Sequence, residues 1–194
     1  EFQRKVIEVL REPFESGKIS LSRANYHITY PANFLFVGAM NPCPCGYMND
    51  SKKQCQCTAQ SLQHYQKKLS GPIKDRIDLI IEVPRVKKKD LLNQSLDAYN
   101  SSPAMKQRIL KAREVQQKRY KNNSLNGKIN SKEQNQFCQI PEASTQFLAQ
   151  QVENGEITAR SRDKIIKIAR TLADLSQHEN IEHTHILEAR FLTN

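Results

Sequence analysis

The sequence predicts an α/β portion followed by an all-helical one, with the boundary near residue 85. Three observations predict it. Phe34 to Met40 is a continuous apolar run of strand length, and a helical stretch from Thr58 to Leu69 separates it from a second such run, Leu79 to Val83. Strand, helix and strand in that order imply an α/β layer. After Pro84 the strand signals cease, and the remaining periodic stretches are helical.

Residues 2–12 read as a short helix with Phe2, Val6, Val9 and Leu10 on one side, ended by Pro13. Ser16-Gly17 turns the chain into the alternating stretch Ile19-Ser20-Leu21-Ser22. A second extended stretch, Tyr26 to Tyr30, follows the turn Ala24-Asn25, so a hairpin forms with Arg23 near its tip. The run from Phe34 to Met40 is apolar on both faces, which suits a buried parallel strand. Asn41-Pro42 ends it and a Cys-rich loop follows.

In the second part, Pro103 to Tyr120 carries Met105, Ile109 and Ala112 on one helical face with basic residues over the rest. Residues 121–136 are rich in Asn, Gln and Lys and read as a flexible loop. Helices are predicted over 142–151 and 158–177. The second has Thr158 as its N-cap and Ile165, Ile168, Leu172 and Leu175 as its apolar stripe. A last helix runs from about Thr184 to Leu192.

The charged fraction of 26% and hydrophobic fraction of 38% are those of an ordinary globular protein, long enough at 194 residues to bury a core. No apolar run approaches membrane-spanning length, so no membrane association is expected, and the start does not read as a signal peptide. The chain begins Glu1-Phe2-Gln3 without a Met, and we expect an excised fragment. Five cysteines without an export signal point to a reducing, cytoplasmic setting, where clustered thiols mean metal or redox chemistry.

The net charge is +10, and its location matters more than its size. Between Arg85 and Asn135 we count 13 Lys and Arg against 4 Asp and Glu, a difference of 9 that accounts for nearly all of the excess. Such a field favours a polyanion, with nucleic acid first. A solvated helix face beside a charged linker would carry the same pattern.

Cys43-x-Cys45 and Cys55-x-Cys57 are separated by nine residues, in a loop containing Gly46, Asn49 and Asp50. Two thiolate pairs brought together by a turn can make a tetrahedral Cys₄ zinc site, structural because four cysteines leave no open position. A reduced thiol cluster or a disulfide fits the same residues, and the C-x-C pairs are tighter than the usual knuckle spacing. Cys138 stands alone.

Three segments together resemble one family. They are Pro31-Ala32-Asn33-Phe34 leading into Ala39-Met40-Asn41-Pro42-Cys43-Pro44-Cys45-Gly46; Ser70-Gly71-Pro72-Ile73-Lys74-Asp75-Arg76-Ile77-Asp78; and Thr158-Ala159-Arg160-Ser161 continuing to Ile168-Ala169-Arg170-Thr171-Leu172-Ala173-Asp174-Leu175. In this order and separation they resemble the ComM-like AAA+ ATPases, relatives of the magnesium-chelatase ATPase subunit and the MCM helicases. The resemblance implies that residues 1–85 are the later part of an AAA+ P-loop α/β core, with its hairpin and Cys-rich loop. It implies that 86–194 are the helical lid.

It also implies roles. Asn41 matches the first sensor at the end of a core strand, where an amide can orient water towards a γ-phosphate; alone it could simply cap the turn before Pro42. Arg76 matches the arginine finger that one subunit offers to its neighbour's nucleotide, which implies a ring and hence a hexamer. Its local alternative is a pair with Asp75 or Asp78. Arg160 matches the second sensor on the lid. Arg160 and Arg162 follow the Thr158 cap closely, where the helix dipole disfavours cations and an anion would relieve the misplacement. The hairpin matches the family's insertion towards DNA, with Arg23, Lys18 and His27 contacting phosphates without reading sequence.

Family members carry a Gly-rich P-loop and an acidic strand end that cradle ATP and Mg²⁺, and neither occurs in these 194 residues. Glu1-Phe2 matches the residues just after that acidic motif. The resemblance implies a parent DNA motor acting in branch migration during recombination of incoming DNA, while this chain alone neither grips nor hydrolyses ATP. Two alternatives are a magnesium-chelatase ATPase subunit inserting Mg²⁺ into a porphyrin, and a non-enzymatic zinc-stabilised DNA-binding module.

Overall fold

The computed structural model describes residues 2–86, 98–120 and 124–193. Glu1, Lys87–Lys89 and Lys121 lie outside them, and with those lysines part of the basic stretch singled out above. The chain divides into two compact units, Glu1–Ile77 with Glu82–Arg85, and Asp78–Ile81 with Val86–Asn194.

The first unit opens with helices α1 (Arg4–Val9) and α2 (Arg11–Ser16). The single helix expected over 2–12 is thus broken at Leu10. Pro13 does not end it but lies buried in the first turn of α2, where its missing N–H had no helical partner to lose. Gly17 closes α2 at φ 65, a left-handed position that disfavours other residues, and its N–H donates to the Pro13 carbonyl at 3.0 Å. Strands β1 (Lys18–Arg23) and β2 (Tyr26–Pro31) then pair antiparallel, from Lys18 opposite Pro31 to Arg23 opposite Tyr26. The hairpin expected from the alternation is present, with Ala24-Asn25 as its turn.

The larger sheet is not. Phe34–Met40 and Leu79–Val83 form no strand, and the two-stranded hairpin is the only sheet among the described residues. An apolar run becomes a strand only where a neighbouring strand pairs with it along a ladder, and among the described residues neither run has such a neighbour. Exposure still alternates. Leu35 and Val37 are 89% and 83% exposed, while Phe34 and Phe36 pack on Phe14 with ring centroids 5.7 and 5.2 Å apart. The unit continues through the Cys-rich loop to α3 (Ala59–Gln66), N-capped by Thr58, and the short α4 (Gly71–Lys74).

The second unit is helical: α5 (Ser102–Tyr120), α6 (Ser131–Phe137), α7 (Glu142–Glu153), α8 (Ala159–Leu175) and α9 (His183–Leu192). Its core gathers Tyr120, Ile129, Cys138, Leu148, Ile165, Ile166, Ala169, Ala173, Ile181, Ile186 and Ala189 around α8. Thr158 caps α8 as expected, accepting from Ser161 N. The buried face of α8 is instead Ile165, Ile166, Ala169, Arg170, Ala173 and Asp174; Ile168 and Leu172 flank it and Leu175 is exposed. Small alanines let neighbouring helices approach, so the packed face is centred on them rather than on the largest residues.

Residues 124–136 are ordered into a 3₁₀ turn at Asn126–Lys128 and helix α6, where the sequence reading expected a loop. In α5 the expected stripe is buried only at its C-terminal end, at Ala112, Gln116 and Tyr120; Met105 and Ile109 are exposed. Ile80, inside the second expected strand, donates its N–H to the Leu192 carbonyl at 2.8 Å.

Candidate functional site

Four cysteines from two ends of one loop converge. Cys43 Sγ lies 3.3 Å from Cys45 Sγ and 3.7 Å from Cys55 Sγ, and Cys45 Sγ lies 3.5 Å from Cys55 Sγ. With Cys57, all four sulfurs fall within 4.8 Å of one another. A tetrahedral zinc with bonds of roughly 2.3 Å needs sulfur–sulfur edges of about 3.8 Å. The donor set, count and spacing therefore fit zinc.

The loop is built for convergence. Gly46, at φ 81, makes the turn after the first pair, and its N–H donates to the Cys43 carbonyl at 3.0 Å. Asp50 accepts from Lys52 N and Lys53 N at 2.7 and 3.0 Å and pairs with Arg85 at 3.0 Å, closing the arm between the pairs. Backbone N–H groups of Tyr47 and Gln56 favour the Cys45 thiolate and bring that thiol down to about 6. Cys55, despite the Cys57 backbone N–H, is pushed up to about 12 by burial and by the other thiols. A zinc ion here would require all four thiols as thiolates. Cys138 is separate, buried in the helical core, where burial pushes its thiol up to about 11.

Asn41 is placed two residues before this cluster with an exposed side chain, and its carbonyl accepts from Tyr65 Oη at 3.0 Å. Arg76 follows α4. Its side chain is only 8% exposed, donates to the Pro72 carbonyl at 2.7 Å, and forms an ion pair with Glu15 on α2. Its Nε is buried without a hydrogen-bond partner. Arg160 is exposed in the first turn of α8, while Arg162 pairs with Asp163 at 3.2 Å. Asn41 and Arg76 belong to the first unit and Arg160 to the second. In the hairpin, the register puts Arg23 on one face and Lys18 and His27 on the other.

Family models for magnesium chelatase subunit ChlI and for its C-terminal domain match residues 1–91 and 99–192 respectively. YifB of Escherichia coli is 39% identical over 189 residues, which are 97% of this chain and 36% of that protein. Competence protein ComM of Haemophilus influenzae is 38% identical over the same shares. The chain belongs to the ComM-like, magnesium-chelatase-related family. Rv2897c of Mycobacterium tuberculosis is 30% identical over 178 residues, 91% of this chain and 34% of that protein. The chain thus spans about a third of the length of the curated relatives it matches.

Within this ComM-like chain two supporting residues, Glu15 and Tyr65, carry no signal in the sequence, and Asp50, noted in the loop, had no role assigned to it. Glu15 stands 61 positions from Arg76 and Tyr65 stands 24 from Asn41, so no local pattern joins them. Asp50 was legible, because an aspartate followed by Ser51-Lys52-Lys53 is a turn in which the side chain caps the next amides. Among the described residues no helix is long and apolar enough to cross a membrane.

Proposed function

We propose that this chain is the sensor-and-lid part of a ring-forming, most simply hexameric, ATPase that moves on DNA and drives branch migration. The observation that carries it is the 38% identity to Competence protein ComM along 97% of the chain, a stretch that includes Asn41, Arg76, Arg160 and the hairpin. In this reading Asn41 orients the attacking water, held by the Tyr65 bond to its backbone. Arg76 leaves Glu15 to neutralise charge on the terminal phosphate bound by the neighbouring subunit. Arg160 reports nucleotide state to the lid. ATP and Mg²⁺ are gripped mainly by the rest of the parent, because no Gly-rich lysine loop occurs in these residues. The Cys₄ centre is structural and holds the segment that follows Asn41.

ATP turnover by the parent protein tests this. Arg76→Ala is expected to lower kcat by about a thousandfold or more while ATP binding persists, and the isolated chain is expected to show no single-turnover hydrolysis. Unchanged turnover in Arg76→Ala would refute the finger, and hydrolysis by the chain alone would refute the division of labour. The magnesium-chelatase family models favour a second reading, a chelatase subunit. Stimulation of turnover by a porphyrin rather than by branched DNA would select it.

A further inference from the structure

The Arg76 guanidinium is held at both ends of its fork and left short between them. Its Nη1 donates to the Pro72 carbonyl at 2.7 Å, its Nη2 pairs with the Glu15 carboxylate, and its Nε is buried with no hydrogen-bond partner. Its side chain is 8% exposed, whereas that of Glu15 is 51% exposed. All of these residues lie in the first unit. A guanidinium buried and bonded in this way cannot reach a nucleotide on another subunit until Glu15 lets it go. The hold of Glu15 is incomplete. Guanidinium donors form a planar fork that is best matched by a pair of parallel bonds to a carboxylate or a phosphate. Here Nη2 is bonded to the carboxylate but Nε, the other prong of that edge, is not.

We propose that Glu15 is a positioning residue, which stows the Arg76 guanidinium in its own subunit until the terminal phosphate of a nucleoside triphosphate bound by the neighbouring subunit competes it away. The proposal rests on the arginine-finger reading above and adds the regulation of that finger. A terminal phosphate brings several oxygens and more charge than a carboxylate, so it can take both prongs of the fork. Exchanging Glu15 for it also satisfies a buried donor that the ion pair leaves orphaned. The partly solvated carboxylate can be released into water, at a smaller cost than breaking a pair closed off from solvent. A nucleoside diphosphate lacks the competing group, and the finger stays stowed beside it. The pair therefore separates triphosphate from diphosphate before any bond is broken.

Initial rates of ATP turnover by the parent protein at sub-saturating ATP give kcat/KM, which compares the free enzyme with the transition state. A finger stowed for about nine-tenths of the time lowers that ratio about tenfold. Glu15→Gln keeps the shape of the side chain and removes its charge, and it is expected to raise kcat/KM by about that factor. ADP affinity, measured by equilibrium titration of the same variant, is expected to stay at the native value. In an Arg76→Ala background, Glu15→Gln should change kcat/KM no further, since the group it releases is gone. A rise in rate is the deciding readout, because a side chain that merely props the fold can only lower it when removed. If Arg76→Ala abolishes turnover while Glu15→Gln leaves kcat/KM at or below the native value, the stowing is overturned and the finger stands. If Arg76→Ala keeps full turnover, the finger reading fails and this proposal with it. Loss of ADP binding in Glu15→Gln would make Glu15 a support of the fold and overturn the proposal as well.

Discussion

Asp174 is fully buried and holds two arginines at once. Arg119 donates to its two oxygens at 2.9 and 2.5 Å, Arg170 approaches at 3.1 Å, and Asn126 Nδ2 donates at 2.8 Å. The hydrogen bond to Asp174 raises the Arg119 guanidinium above its ordinary value, whereas burial lowers that of Arg170. Arg170 also donates to the carbonyls of His178 and Glu179 at 2.8 Å, so the carboxylate indirectly fixes the turn that leads into α9. Replacing Asp174 with Ala strands two buried cations and is expected to cost about 3–5 kcal/mol. Urea unfolding followed by helical circular dichroism measures it; a loss below about 1 kcal/mol would show that water takes over the carboxylate's role. The sequence shows Arg170 and Asp174 at helical spacing. Their burial was not legible, since Arg119 arrives from 55 positions away. The same limit hid Glu15 from Arg76.

At the level of elements, α6 shows how composition can mask a local signal. Asn, Gln and Lys fill residues 121–136, yet Asn130 and Glu133 form a reciprocal capping box, with bonds of 3.0 and 2.9 Å to each other's backbone N–H. That spacing was in the sequence and signals a helix start independently of hydrophobicity. Gln134 and Cys138 are both buried, so the helix contributes a polar and a thiol side chain to the interior instead of an apolar stripe. Asn130→Ala is expected to destabilise the helical unit by about 1 kcal/mol and Asn130→Asp by much less, read as shifts in the urea midpoint. Equal midpoints for all three proteins would show that packing alone holds α6. The segments Phe34–Met40 and Leu79–Val83 fail in the opposite sense, because their composition asks for a sheet that two strands cannot supply. Thr158, the α8 cap, and the hairpin turn were fully legible because each is decided within four residues.

At the scale of the whole molecule the two units are stabilised by different means. The helical unit encloses a continuous core that includes Leu148, Ile165 and Ile186 with no exposure or almost none. In the first unit, burial among the described residues is confined to Pro13, Cys43 and Ile73, while Leu35, Val37, Leu21 and Tyr26 remain open. Apolar burial supplies most of the free energy of folding, so a unit with three buried side chains depends on whatever else ties its chain together. Under the proposed function that tie is the Cys₄ loop, because a cation bound only in the folded state would add its binding free energy to stability. Hydrogen exchange on the zinc-loaded chain should therefore show slow amides throughout α8 and α9 and faster ones in the hairpin and in α1. Adding a strong chelator should accelerate exchange across residues 41–66 and leave α8 unchanged. Chelator-insensitive exchange in the Cys loop would mean that the four sulfurs hold no structural metal, and equal protection of hairpin and α8 would mean that the first unit has a source of stability other than its own core.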